Sequence, residues 1–259
     1  MALTLHPLAA GHAREAWQHA VARSHRPVDA GGALLWLHDV FKIYQDGDVE
    51  TVVLRGAELR VMPGEFLAVV GRSGAGKTTL LNMIGGLDTP TAGQVVLHGV
   101  DVAKLDEATR SAFRRSSLGM VFQDANLLPF LSAWENVALP LRLAGWGGGE
   151  SRRRAASLLG RLGLGDRLHH RPAQLSGGEV QRVAIAVALA LEPALLLADE
   201  LTGELDSETT DLVLALLARL HQEEQVTMII VTHNDQVAAH AQRVVRVVDG
   251  VLAPPEEKQ

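Results

Sequence analysis

The sequence predicts an α/β domain built around a parallel sheet, and three observations carry that expectation. Phe66-Leu67-Ala68-Val69-Val70 is an unbroken apolar run that enters a glycine-rich loop. Leu195-Leu196-Leu197-Ala198 and Met228-Ile229-Ile230-Val231 are two more such runs, and runs of this kind suit parallel strands buried on both faces. Leu212–Leu220 reads as a helix between the last two, which completes a strand–helix–strand crossover.

Bulk properties bound the rest. The chain has 259 residues, enough for one large α/β domain or a core with an inserted lobe. Hydrophobic residues make up 47% and charged residues 21%, so a substantial core can be buried. The net charge of −6 gives no electrostatic reason to expect nucleic acid as a partner. The absence of cysteine excludes disulfides and thiolate metal sites and fits a reducing cytosol. No stretch approaches the roughly 20 apolar residues of a membrane-spanning helix, and the N-terminus lacks a signal-peptide pattern. Any link to a membrane is therefore expected to run through a partner protein.

Residues 1–33 are rich in Ala and His, and Ala9, Ala13, Trp17, Ala20 and Val21 leave open a loose extension or a short docking helix. Leu35–Phe41 and Val52–Leu54 read as strands with a turn at Asp46-Gly47-Asp48. Thr78–Ile84 reads as a helix stopped by Gly85-Gly86. From about Phe113 to Leu191 the chain reads as helical and loop-rich, with Ser151 as an expected N-cap. The triplet Arg152-Arg153-Arg154 is expected on a solvated helix face, because apolar residues follow it at helical spacing. Residues 253–259 read as a frayed polar tail.

Gly71-Arg72-Ser73-Gly74-Ala75-Gly76-Lys77-Thr78 matches the phosphate-loop pattern, between a predicted strand and a predicted helix. Glycines let backbone N–H groups curl around phosphate oxygens, and the helix directs its positive end at the same place. Lys77 is placed to reach the β- and γ-phosphates and Thr78 to ligate Mg²⁺. Alone, the motif says only nucleotide phosphate, and it fits kinases, GTPases and helicases as well. Asp199 and Glu200 end a buried strand, where ligands of open α/β sheets sit. Asp199 suits Mg²⁺, and Glu200 suits a general base for water. Leu175-Ser176-Gly177-Gly178-Glu179 opens a further helix, and its small residues and free N–H groups make a second anion site.

With those motifs in that order, Leu175–Glu200 resembles the signature-to-Walker-B segment of ABC ATPases, and the resemblance spans roughly residues 34–250. It implies a P-loop NTPase core with an antiparallel β subdomain and a helical subdomain inserted at about 113–190, in a domain of residues 34–259. Tyr44 resembles the aromatic that stacks on adenine, and Gln123 the glutamine that senses Mg²⁺ and the attacking water. Thr202-Gly203-Glu204-Leu205-Asp206 resembles the D-loop, and His233 the histidine that contacts the γ-phosphate. The resemblance thus implies ATP and Mg²⁺ as cofactors. Gly71, Ser73, Gly74, Gly76, Lys77, Thr78 and Thr79 would surround one ATP, with Thr78, Gln123 and Asp199 at the metal. Glu200, His233 and Gln123 would serve hydrolysis, and Asp206 would contribute to nucleotide binding. Ser176, Gly177, Gly178 and Glu179 would face the ATP of a second, identical subunit.

Gly85–Gly93, Leu127–Phe130 and Trp134–Leu141 narrow the resemblance to the lipoprotein-release and macrolide-exporter ATPases and the cell-division ATPase FtsE. This implies an integral-membrane permease partner and a place on the inner face of the plasma membrane. The work driven would be export, extraction of a hydrophobic substrate or mechanical transmission; the alternative is FtsE-type control of a cell-envelope partner. Leu127–Leu141 is expected to be partly lobe core and partly a groove for the permease. The chain departs from the subfamily pattern at Leu201 (usually proline), Glu204 (commonly Asn) and Val187 (usually arginine).

Overall fold

A computed structural model describes residues 28–203 and 205–253. The apolar stripe of Ala9–Val21, Glu204 and the tail from Pro254 lie outside the described residues. Of the expected extension, Val28–Ala33 is described: the Val28 N–H donates to the Gly99 carbonyl at 2.7 Å, and Ala30 and Ala33 pack on Val96.

Two sheets form the frame. Strands β1 (Leu35–Asp46), β2 (Val49–Val61), β4 (Ala92–Leu97) and β5 (Val100–Asp101) make an antiparallel sheet in the order β2-β1-β4-β5. The second sheet has the order β10-β9-β3-β8-β7-β6. It comprises β3 (Phe66–Gly71), β6 (Leu118–Val121), β7 (Leu195–Asp199), β8 (Thr227–Thr232), β9 (Arg243–Val248) and β10 (Val251–Ala253). Five of its strands run parallel, and β10 is an antiparallel edge.

The apolar runs are buried on both faces, as their composition predicts. Successive side chains of a strand point to opposite faces, and here each face has its own core. Phe66, Ala68, Leu196, Ala198, Met228 and Ile230 join the helices on one side. Leu67, Val69, Leu195, Leu197, Ile229 and Val231 join the antiparallel sheet on the other.

Seven α-helices are described: α1 (Lys77–Ile84), α2 (Glu107–Ser117), α3 (Ala133–Leu143), α4 (Gly148–Arg161), α5 (Gly177–Leu189), α6 (Ser207–Glu224) and α7 (Asp235–His240). The stretch read as helical and loop-rich contains a core strand, β6, paired in register with β7 from Leu118 to Val121. Its four residues are too few for a periodic signal, and only pairing with β7 makes them a strand.

Ser151 is not the N-cap of α4. Gly147 takes that position, and the buried Ser151 hydroxyl donates back to the Gly147 carbonyl at 3.0 Å. A serine one turn inside a helix can satisfy itself this way, so its presence does not mark the boundary. The arginine triplet divides. Arg152 and Arg153 are exposed, and Arg152 lies over the Trp134 ring. Arg154 turns inward to Glu192 at 3.2 Å and toward the Ala190 carbonyl at the end of α5, where a cation suits the helix dipole.

Candidate functional site

The parallel register brings the motifs together. β3, β8 and β7 are adjacent, with Val70 opposite Thr232 and Asp199 opposite Val231. Their carboxyl ends therefore deliver Gly71, His233 and Asp199-Glu200 to one edge. A cavity of about 600 Å³ opens there. Ser73, Gly74, Gly76, Lys77, Thr78 and Thr79 are part of its lining, and Gln123, Glu200 and His233 also face it.

The phosphate loop is shaped for an anion. Gly76 caps α1 with φ 101°, a left-handed conformation, and no side chain caps the helix. A Cβ on Gly76 would sit 2.9 Å from the Val53 carbonyl oxygen, so glycine is required by both conformation and space. The α1 N–H groups are left facing the cavity, where a helix start favours negative charge. Lys77 is 7% exposed, and its ammonium donates to the Gly71 and Arg72 carbonyls at 2.9 and 3.1 Å. The same ammonium stands 3.8 Å from Glu200 Oε1.

Glu200 holds the centre. Its φ of 50° is left-handed, uncommon for a residue with a side chain. The conformation is held by the Glu200 N–H donating to the Val231 carbonyl at 2.9 Å and the Gly203 N–H donating to the Glu200 carbonyl at 3.1 Å. That bend turns the carboxylate into the cavity, with Oε2 2.8 Å from His233 Nδ1. Backbone strain of this kind costs about 1–3 kcal/mol and persists only when its surroundings enforce it. Asp199 is 9% exposed, and its Oδ1 has no hydrogen-bond partner in the protein. Burial pushes its pKa above the usual carboxylate value and the nearby Glu200 charge adds to this, while a Thr78 hydrogen bond and the Lys77 charge oppose.

The remaining expected residues are placed as follows. Tyr44 is 41% exposed on β1, and its hydroxyl donates to Asp88 Oδ2 at 2.8 Å. It does not line the cavity, though Thr79 beside it does. Ser176 caps α5: its Oγ accepts from the Glu179 N–H at 3.3 Å, and Glu179 Oε2 accepts from the Ser176 N–H at 2.8 Å. Those bonds, with Arg167 at 3.0 Å, lower the Glu179 pKa. Ser176 and Gly177 are exposed, and Ser176–Glu179 are absent from the cavity lining. Asp206 caps α6, accepting from the Thr209 N–H at 2.9 Å and the Thr209 hydroxyl at 2.8 Å, which lowers its pKa. Both of its oxygens are thus engaged within its own helix start.

Three cavity residues were missing from the sequence expectation: Val53, Arg72 and Gly203. Arg72 lies inside the phosphate-loop motif and was legible as a variable position of it. Gly203 lies in the D-loop, and Val53 is a strand residue that only the packing of β2 against the loop brings in. Leu201, where a proline is usual, is 3% exposed and fills the helical-side core. Leu127 and Trp134 pack on that same core, while Phe130 is 65% exposed. The loop carrying Phe130 is pinned by buried Asn136, which accepts from the Leu128 N–H at 2.8 Å and donates to the Leu131 carbonyl at 3.1 Å.

Comparison with known proteins gives the family and the fold. Residues 54–203 match the ABC transporter family. The chain is 50% identical over 218 residues to the lipoprotein-releasing system ATP-binding protein LolD of Geobacter metallireducens, covering 84% of this chain and 97% of that one. It is 51% identical over 223 residues to the macrolide export ATP-binding/permease protein MacB of Syntrophobacter fumaroxidans, covering 85% of this chain and 31% of the relative. The chain thus spans about a third of that longer protein. Among solved structures, a dimeric ATP-binding cassette in a post-hydrolysis state bound to ADP and Pi superposes with a TM-score of 0.81 at 40% identity, covering 87% of this chain and 99% of that one. With the phosphate loop, the acidic strand end and the signature helix all in place, the chain belongs to the ABC transporter family, as one of its ATP-hydrolysing cassettes of the LolD and MacB kind.

Proposed function

We propose that the chain is the motor subunit of a membrane complex, closing as a homodimer around two ATPs to drive a permease partner. One observation carries this reading: among the described residues two glycine-rich helix starts, those of α1 and α5, have the composition of an anion site, and of these only α1 opens on the cavity. The exposed Ser176 terminus of α5 then completes the ATP site of a second copy. Exposed Phe130, on its pinned loop, belongs to the surface that meets the permease. No described helix is long and apolar enough to cross a membrane; attachment through that partner is part of the proposal.

In this reading the γ-phosphate lies between Lys77 and Glu200. Lys77 neutralises phosphate charge, and Glu200 accepts the proton of the attacking water while His233 orients it. Gln123, just past the end of β6, approaches the same water from the cavity wall. The residues fit Mg²⁺: Asp199 presents an unpartnered buried oxygen and Thr78 a hydroxyl at the cavity. Few protein ligands suffice, because phosphates and water complete the shell. The ion would supply positive charge to the phosphate oxygens.

The test is a mild-detergent purification of the tagged chain from membranes, with partners identified by mass spectrometry. Recovery of a multi-span permease, in a complex holding two copies of the chain, supports the proposal. Recovery of the chain only as a lone soluble protein, with ATP turnover independent of its concentration, overturns it.

A further inference from the structure

Tyr44 is held by a half-buried ionic clamp. Lys42 and Tyr44 are two apart on β1 and so share a face. Lys42 is 9% exposed, and its ammonium lies 4.7 Å from the centre of the Tyr44 ring. The ammonium donates to Asp88 Oδ1 at 2.7 Å and to the Thr89 carbonyl at 2.9 Å. Asp88 Oδ1 also accepts from the Thr89 N–H at 2.7 Å, and Oδ2 accepts from the Tyr44 hydroxyl at 2.8 Å. A carboxylate so surrounded stays ionised: burial raises the Asp88 pKa, but the hydrogen bonds from Lys42 and Tyr44 outweigh it and the net shift is downward.

Asp88 is in turn fixed to the helix that begins at the phosphate loop. The Leu87 and Asp88 N–H groups donate to the Asn82 carbonyl near the end of α1, at 2.9 and 3.3 Å. One short helix thus carries the phosphate-binding start at Lys77 and, just past its other end, the anchor of the Tyr44 hydroxyl.

We propose that Asp88 and Lys42 are positioning residues for the nucleobase: Asp88 pins the Tyr44 hydroxyl and Lys42 occupies one ring face, presenting the other face for stacking at a fixed place relative to the phosphate loop. The inference rests on the reading of Tyr44 as the base platform. Preset geometry lowers the ordering cost of binding, so loss of the clamp acts on nucleotide affinity rather than on chemistry.

Steady-state hydrolysis separates the two ideas. Tyr44→Ala tests the platform: a raised KM for ATP supports it, and an unchanged KM overturns it and the clamp together. Tyr44→Phe keeps the ring and the Lys42–Asp88 pair and removes the hydroxyl's bond to Asp88, along with its interaction with Thr79. It raises KM roughly 3- to 10-fold, the worth of one hydrogen bond, with kcat within about twofold. An unchanged KM in Tyr44→Phe beside a raised KM in Tyr44→Ala overturns the clamp and leaves the platform standing. Asp88→Asn raises KM in the otherwise unaltered chain and adds nothing in the Tyr44→Phe chain; an equal rise in both shows another route and overturns the proposal. Inhibition by inorganic tripolyphosphate, which has no base, stays unchanged in Tyr44→Phe, whereas weakened inhibition points to a damaged phosphate loop and overturns it.

Discussion

The starts of α1 and α5 are built from similar residues and differ in what satisfies them. At α1, Gly76 in a left-handed conformation caps the helix with no side chain, so the N–H groups are left to the cavity. At α5, Ser176 and Glu179 cap each other, and Arg167 holds Glu179 in place. An open helix start is an anion site within one chain. A self-capped one is stable at an exposed surface, yet its serine hydroxyl and glycine N–H groups still suit a phosphate brought by a second chain. The sequence pattern alone rates both as anion sites; the structure separates them by whether the terminus is left open or satisfied by its own side chains.

The largest expected effect breaks the α1 side. Glu200→Gln keeps ATP binding, slows phosphate release by roughly 10²-fold or more, and accumulates an ATP-bound dimer visible by size exclusion. Normal turnover would remove Glu200 from the role of base. Next, Ser176→Arg breaks the α5 side: ATP-dependent dimerisation is lost while ATP affinity of the single chain is retained. Weakened binding in the monomer would place Ser176 at its own chain's nucleotide and erase the contrast.

Two smaller effects sharpen it. A Cβ on Gly178 would meet Thr209 Cγ2 at 2.1 Å, so the start of α5 is locked against the start of α6. Gly178→Ala lowers stability by about 1–3 kcal/mol in denaturant unfolding. Thr209→Ser, which drops the methyl and keeps the hydroxyl on Asp206, restores most of it. The smallest effect concerns Asp199, whose pKa is raised by burial. A carboxyl with a raised folded-state pKa binds more protons folded than unfolded, so the stability it contributes falls as pH rises through that window. Asp199→Asn therefore abolishes hydrolysis but raises stability at neutral pH, as losses of strained functional groups do. The gain vanishes as pH falls to the ordinary carboxylate range; a gain that persists there would trace to packing instead.

Much of this was legible because the signals are local. Phe66–Val70, Leu195–Ala198 and Met228–Val231 declare buried parallel strands by composition alone, and the phosphate loop declares its function by the residues between a strand and a helix. Where competing local chemistry exists, the reading slipped: Ser151 bonds back into its helix and leaves the cap to Gly147, and Arg154 leaves the solvated face for the end of α5.

By itself the sequence determined that the chain binds nucleotide phosphate, where the loop and its lysine lie, and which carboxylates end a buried strand, since each depends on residues adjacent in the chain. Only the tertiary structure decided that Glu200 bends into the cavity between Lys77 and His233, that Ser176 does not line that cavity, and that Asp88 grips Tyr44 from 44 positions away. These depend on strand order and loop closure, which bring together residues that no spacing in the sequence relates.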